Sequence, residues 1–254
     1  MISVFNNTMR IFVLVLLSIT ISYGQSSEKL KYSLKEDYHS EFIYGINKNS
    51  SGGLIGGFFA KISKRKKDRV FRTYGLEIVN VKNSQETRRS SAASGNMFIF
   101  GKTNYLYSFR FQYGRDLLLF QNAPMHGVEV KLVGAVGPTI GLLCPYYIER
   151  AVNGNYNKTV TERYDPDSPY QGLNNILGAG GPLQGLGESK FQLGVNIKLG
   201  LNFELGGDRK GLFGFEFGFL FDQYVKKPIL MPTAKNSSSF PTVYVSIFYG
   251  RRRF

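Results

Sequence analysis

Polar and apolar residues alternate along most of this chain. The alternation is sharpest over 211–225, GLFGFEFGFLFDQYV. There Phe213, Phe215, Phe217, Phe219 and Phe221 take every second position, and Gly214, Glu216, Gly218, Leu220 and Asp222 take the positions between. A period of two is the repeat of a β-strand, whose successive side chains point to opposite faces. Seven further segments carry the same period, each with its own apolar series. Segment 40–48 has Phe42, Tyr44 and Ile46; 53–63 has Leu54, Phe58, Ala60 and Ile62; 71–81 has Tyr74, Leu76 and Ile78. Segment 104–114 has Tyr105, Tyr107, Phe109, Phe111 and Tyr113, and 128–143 has Val128, Val130, Leu132 and Val136. Segment 191–205 runs from Leu193 through Val195, Ile197, Leu199 and Leu201 to Phe203, and 241–254 carries Val243, Val245, Ile247 and Tyr249. No stretch shows the 3.6-residue period of a helix.

The connections between these eight strands alternate in length. Those at 64–69, 115–127 and 206–210 are short; those at 82–103, 144–190 and 226–240 are longer; the first, at 48–52, is short and breaks the pattern. Short turns on one rim and long loops on the other are the habit of antiparallel barrels in outer membranes. The 144–190 connection is rich in Gly, Asn, Asp and Pro and reads as an irregular surface loop.

Alternation alone does not say which face is outside. An eight-stranded barrel has a bore just wide enough to be filled by side chains, and the aromatic series of 104–114 and 211–225 would overfill it. Glycine supplies the second argument. Gly45, Gly75, Gly114, Gly194, Gly200, Gly214 and Gly218 all share the polar face. A solvated face gains nothing from glycine, whereas a crowded bore gains room for long charged neighbours. The expectation is therefore an all-β, closed, antiparallel eight-stranded transmembrane barrel. Tyr105, Tyr107, Phe109, Phe111, Phe213, Phe215, Phe217 and Phe219 form its lipid-facing wall. Glu41, Lys61, Glu77, Arg110, Glu129, Lys131, Lys198, Glu204, Glu216 and Asp222 line its lumen, with Glu77, Arg110, Glu129, Lys131, Lys198 and Glu216 as the core of a charge network. Buried charges must be paired, so the expected bore is a salt-bridged plug; an ion path is the alternative.

Composition refines this picture. The 254 residues include 32 Lys+Arg against 18 Asp+Glu, a net charge of +14, and a single cysteine, Cys144, which excludes an internal disulfide. Arg10, the apolar run 11–21 and the small residues Ser22 and Gly24 form a secretory signal over 1–24. Segment 25–38 reads as a short periplasmic tail and 39–254 as the barrel. The basic residues Lys64, Arg65, Lys66, Lys67, Arg209, Lys210, Arg251 and Arg252 fall on the short-turn, periplasmic rim. Anionic phospholipid headgroups or an acidic periplasmic protein suit them, and nucleic acid does not, since no aromatic–basic binding motif frames them.

The signal followed by Gln25, the stretches Tyr74-Gly75-Leu76-Glu77, Asn104-Tyr105-Leu106-Tyr107 and Gly127-Val128-Glu129-Val130, and the ending Tyr249-Gly250-Arg251-Arg252-Arg253-Phe254 resemble the outer-membrane β-barrel proteins of Bacteroidota. That resemblance implies a fold and a location and no particular activity. Its terminal aromatic is similar to the signal read by barrel-assembly machinery, although Phe254 shares parity with Arg252 and Gly250 rather than with Ile247 and Tyr249.

Chemistry-bearing motifs are sparse. His39 and His126 fall near the short-turn rim without the spacing of a Ser-His-Asp triad. Cys144 reads as a structural thiol, and no metal-ligand spacing occurs. The glycine-rich 178–190 lacks a phosphate-loop pattern and reads as a flexible loop. No catalytic, cofactor or metal residue is assigned. The expected function is a non-enzymatic accessory or adaptor subunit that meets outer-membrane lipid and an envelope protein. A narrow passive channel, a membrane-embedded lipid-modifying enzyme and a soluble lipocalin-like carrier are the alternatives.

Overall fold

The computed structural model describes residues 38–120, 128–152, 155–205 and 211–254. The signal at 1–24, the rest of the tail to residue 37, His126, Arg209 and Lys210 lie outside the described residues. In chain order the strands are β1 (Ser40–Asn49), β2 (Gly52–Lys67), β3 (Val70–Val81), β4 (Arg88–Ser90), β5 (Met97–Ile99), β6 (Asn104–Phe120) and β7 (Val128–Pro145). They continue with β8 (Tyr147–Val152), β9 (Asn155–Arg163), β10 (Ile176–Ala179), β11 (Lys190–Leu205), β12 (Gly211–Tyr224) and β13 (Ser239–Arg253). Eight of them close on themselves in the order β1-β13-β12-β11-β7-β6-β3-β2, every neighbouring pair antiparallel. Closure leaves no sheet edge, so every barrel strand finds its backbone partners within the chain.

The aromatic series face outward and the polar series inward. Phe213, Phe217 and Phe219 are exposed, Phe219 to 63%, while Arg110 and Glu216 are each 1% exposed. Outward rings stack along neighbouring strands: Phe203 lies 4.9 Å from Phe215 and 5.6 Å from Phe217, nearly parallel to both. Tyr105 and Tyr107 share the outward face but stand at its long-loop end, where the loops partly cover them. The Tyr105 ring meets Tyr146 at 5.3 Å, and the Tyr107 hydroxyl donates to the Pro182 carbonyl at 3.0 Å.

Inside, glycines admit large neighbours. Gly200 and Gly218 face each other across β11 and β12. A Cβ on Gly218 would collide with the Leu199 carbonyl oxygen, and one on Gly200 with the Tyr244 hydroxyl. The space left at Gly200 is where the buried Tyr244 hydroxyl lies.

Three strands outrun their apolar periodicity. β2 reaches Lys67, β3 begins at Val70 and β6 reaches Phe120, so the connection expected at 64–69 is a two-residue turn. Backbone pairing carries polar residues into the ladder, as in Lys64↔Arg72 and Arg72↔Arg115. The larger correction concerns 144–190, which is not irregular. It folds as a three-stranded sheet, β10-β8-β9, followed by a 3-10 turn at Leu186–Glu188. Part of the glycine-rich 178–190 is likewise strand, because Gly178 and Ala179 pair with Glu149 and Ile148. This sheet shares a small apolar core with the β4–β5 hairpin, made by Phe98, Tyr146, Ile148, Tyr164 and Ile176.

Gly218→Val is expected to deplete the folded barrel. The check is heat-modifiable migration after refolding in micelles, where wild-type chain should run as the compact form and the variant mostly as the unfolded one.

Candidate functional site

The bore is filled in tiers. At the short-turn mouth, Tyr38 stacks on Phe71 with ring centroids 5.3 Å apart, and Leu118 completes the plug. The Tyr38 hydroxyl donates to Glu129 at 2.8 Å. Next inward, Lys131 gathers three carboxylates: Glu204 at 2.5 Å, Glu41 at 2.9 Å and Glu129 at 3.3 Å. Arg252 joins this tier, bonding Glu204 and standing 3.2 Å from Glu129, with its guanidinium 4.3 Å from the Tyr38 ring centre.

In the middle, Glu216 accepts from Lys198 at 2.8 Å, Tyr244 at 2.9 Å, Asn202 at 3.2 Å and Lys61 at 3.3 Å. Lys61 also reaches Asp116 at 3.0 Å. Nearer the long loops, Arg110 spans the bore. It is paired directly with Glu77 on β3, at 3.3 Å, and crosses to Asp222 on β12, at 2.5 Å. Asn47 and Gln112 also bond Glu77. Above this tier Val79, Val81, Leu106, Leu143, Tyr224, Leu230 and Phe240 close the second mouth with apolar side chains. Leu230 comes from the last long connection, held by its carbonyl accepting the Thr103 N–H at 2.8 Å.

All six residues expected at the heart of the network, Glu77, Arg110, Glu129, Lys131, Lys198 and Glu216, are thus buried in the bore. The basic rim divides. Lys64, Lys66, Lys67 and Arg251 are exposed at the short-turn end. Arg252 is not a rim cation: its inward parity on β13 sends it into the bore, against Glu129 and Glu204. Arg65 also turns inward over the mouth, 5.4 Å from the Tyr38 ring centre and 5.3 Å from that of Phe71. Sequence reading missed Asp116, Tyr38 and Tyr244. Asp116 continues the inward series of Arg110, Gln112 and Gly114, so parity extended through 115–120 would have found it. His39 is exposed and bonds through its backbone, its N–H to the Arg253 carbonyl at 2.9 Å. Cys144 is a free, buried thiol that accepts from the Ser189 hydroxyl at 2.9 Å. Among the described residues no group of His, Cys, Asp and Glu could hold a metal ion.

The long-loop end presents a structured platform. Beneath the β4–β5 hairpin, Lys102 and Glu86 form a buried pair at 2.7 Å. Burial holds the Lys102 ammonium below its usual pKa, against the upward pull of Glu86. An open cleft of about 1070 Å³ lies between 162–171 and 229–233. Its wall includes Arg150, Glu162, Tyr164, Tyr170 and Pro232. Glu162 accepts from Arg150 at 2.5 and 3.3 Å and from Gln171 at 2.6 Å. These bonds, the one from Arg150 foremost, hold its carboxyl below the ordinary value.

Fold and site together define a closed antiparallel eight-stranded barrel with an apolar outer wall, an ionic interior and a small sheet above one mouth. No family model matches the chain, and no curated protein matches it in sequence. Among solved structures it is similar to Ail, the attachment invasion locus protein of Yersinia pestis, at 9% identity and a TM-score of 0.41 over 85% of this chain and 99% of that one. It is also similar to Neisserial surface protein A, at 9% identity and a TM-score of 0.38 over 85% and 96%. A third is the N-terminal β-barrel domain of OprF from Pseudomonas aeruginosa, at 9% identity and a TM-score of 0.34 over 85% and 99%. The likeness is one of fold alone.

Two outcomes are expected from this geometry. Arg110→Leu strands Glu77 and Asp222 without their cation, and losing one partner of a buried ion pair costs about 3–5 kcal/mol; urea unfolding in lipid vesicles should show a loss of that order. A carboxylate depressed in the folded state contributes stability that is present above its unfolded pKa and lost as pH falls through the folded one. Protection factors of β8 and β9 amides, taken relative to the intrinsic rate at each pH, should therefore fall below about pH 4, and Glu162→Gln should flatten that dependence.

Proposed function

We propose that this chain is an exported outer-membrane β-barrel without enzymatic activity, serving as an accessory or adaptor subunit. The outward apolar wall carries the membrane assignment. It runs around the barrel through Phe42, Ile62, Tyr74, Phe111, Val136, Ile197, Phe217 and Val245, all exposed. Contiguous apolar surface on this scale marks a lipid or protein contact rather than a water-facing one. A soluble carrier of the lipocalin type would carry its apolar face inward, around a ligand. Short turns then face the periplasm and the long connections face outside. The secretory signal read over 1–24 and the resemblance to barrels of Bacteroidota belong to the same reading.

The adaptor role rests on the contrast between the two ends of the site. The bore is packed with paired charges and closed at both mouths by side chains, which supports a scaffold over a channel. An open cleft lies on the long-loop platform, where the Arg150–Glu162 pair and Tyr170 offer polar and aromatic contacts to a protein partner. Lipid is the partner of the wall, and an envelope protein is the partner of the platform.

Planar-bilayer recording separates scaffold from channel: the refolded protein should give no steady single-channel current, and a stable open level would overturn the sealed-bore reading. Pull-down from detergent-solubilised outer membrane should recover an envelope protein that Tyr170→Ala releases, whereas a partner retained equally by the variant would move the contact away from the cleft.

A further inference from the structure

Beyond the packed bore, the short-turn end carries a feature visible only in the strand register. Arg253 pairs with Ser40, Ser40 with Lys64, Lys64 with Arg72 and Arg72 with Arg115. Each of these residues has the outward parity of its strand, shared with Phe42, Ile62, Tyr74, Tyr113 and Tyr249. Neighbouring strands lie about 4.8 Å apart, so three cations stand side by side on β2, β3 and β6, with a fourth two strands away on β13. Like charges directly opposite one another destabilise a sheet. Among the described residues no carboxylate bonds to Lys64, Arg72, Arg115 or Arg253.

Two further observations say what offsets the repulsion. Two residues along each strand toward the membrane come paired tyrosines: Tyr74 and Tyr113, with rings 5.4 Å apart, beyond Arg72 and Arg115. Tyr44 and Tyr249, 6.0 Å apart, stand nearby on β1 and β13. Aromatic girdles mark the headgroup level of a membrane barrel, which places the cations at the depth of lipid phosphates. The row also ends in a notch. Arg115 pairs with Gly134 on β7, an outward glycine between Leu132 and Val136. A Cβ there would meet only the Arg115 carbonyl oxygen, at 3.9 Å, so barrel packing does not require glycine at this position. The absent side chain leaves open space on the outer wall beside Arg115.

We propose that Lys64, Arg72, Arg115 and Arg253, with the notch at Gly134, form a binding stripe for the phosphodiester headgroups of anionic glycerophospholipid in the periplasmic leaflet. The stripe rests on the membrane reading above and adds a ligand class and a place. Arginine offers phosphate two parallel N–H donors and lysine a point charge. Barrel strands tilt, so the paired row runs obliquely across the headgroup zone.

The test is native mass spectrometry of the full chain refolded in micelles and titrated with phosphatidylglycerol, phosphatidylcholine of the same acyl composition, inorganic phosphate or polyglutamate. The wild-type barrel should retain phosphatidylglycerol roughly ten-fold or more over phosphatidylcholine, and high salt should erase the preference. The triple variant Lys64→Gln/Arg72→Gln/Arg115→Gln should lose it, Gly134→Leu should weaken it several-fold, and Lys226→Gln/Lys227→Gln, at the opposite end, should leave it intact. Equal retention of the two lipids by wild type overturns the proposal without any variant. So does a triple variant that keeps the preference, uptake of inorganic phosphate without lipid, or polyglutamate displacing phosphatidylglycerol. Heat-modifiable migration of the same samples reports insertion separately: an inserted barrel with no lipid preference counts against the stripe alone, and a chain that stays soluble without detergent counts against the membrane reading as well.

Discussion

The organisation of this protein depends on one constraint: charges carried on the inner face of a narrow closed sheet must neutralise one another inside it. Glu216 shows how the constraint is met. Its two oxygens are shared among Lys198, Lys61, Tyr244 and Asn202. Lys131 is the mirror case, one ammonium held among Glu41, Glu129 and Glu204. Such groups are costly to bury singly and tolerable only as a network. The network requires donors from strands on opposite sides of the bore, as when Arg110 on β6 reaches Asp222 on β12. The closed sheet positions the charges, and their pairing fills the bore that closure creates.

Function follows from this division of faces. The interior is ionic and filled by side chains, and the wall is apolar. In the function proposed above, the working surfaces are its wall, its short-turn end and the platform above the other mouth. The platform is built by the same means as a small soluble domain, with a core of Phe98, Tyr146, Ile148, Tyr164 and Ile176 under paired strands. Its buried Lys102–Glu86 pair and the Arg150–Glu162–Gln171 cluster fix the geometry of loops that composition alone would describe as irregular.

Most of the barrel was legible in the chain. Parity gave the strands, the face each presents and the buried set Glu77, Arg110, Glu129, Lys131, Lys198 and Glu216, because a period of two survives wherever one face meets lipid and the other a packed bore. The same rule, stopped at 114, missed Asp116, whereas Arg252 lay inside the strand expected over 241–254 and was assigned to the rim as part of a basic run, against its inward parity. Asp116 was missed because strand pairing continues past the last apolar residue of β6, since backbone hydrogen bonds do not depend on what the side chain is. In β8, β9 and β10 the signal failed differently. These strands have no lipid side, so their sequences alternate weakly, and they are strands because neighbouring segments and a shared core hold them.

By itself, then, the sequence determined the eight-fold alternation and most of the charges on its polar face, which are local properties of a pleated chain, and the direction of the two faces followed from the narrowness of an eight-stranded bore. Only the tertiary structure decided which charges meet, because partners such as Lys61 and Glu216 are brought together across the bore by register and closure. It also aligned Lys64, Arg72 and Arg115 into one row and folded the long connection into a sheet. Each of these outcomes depends on how far one strand is slid against the next, and no residue read alone records that displacement.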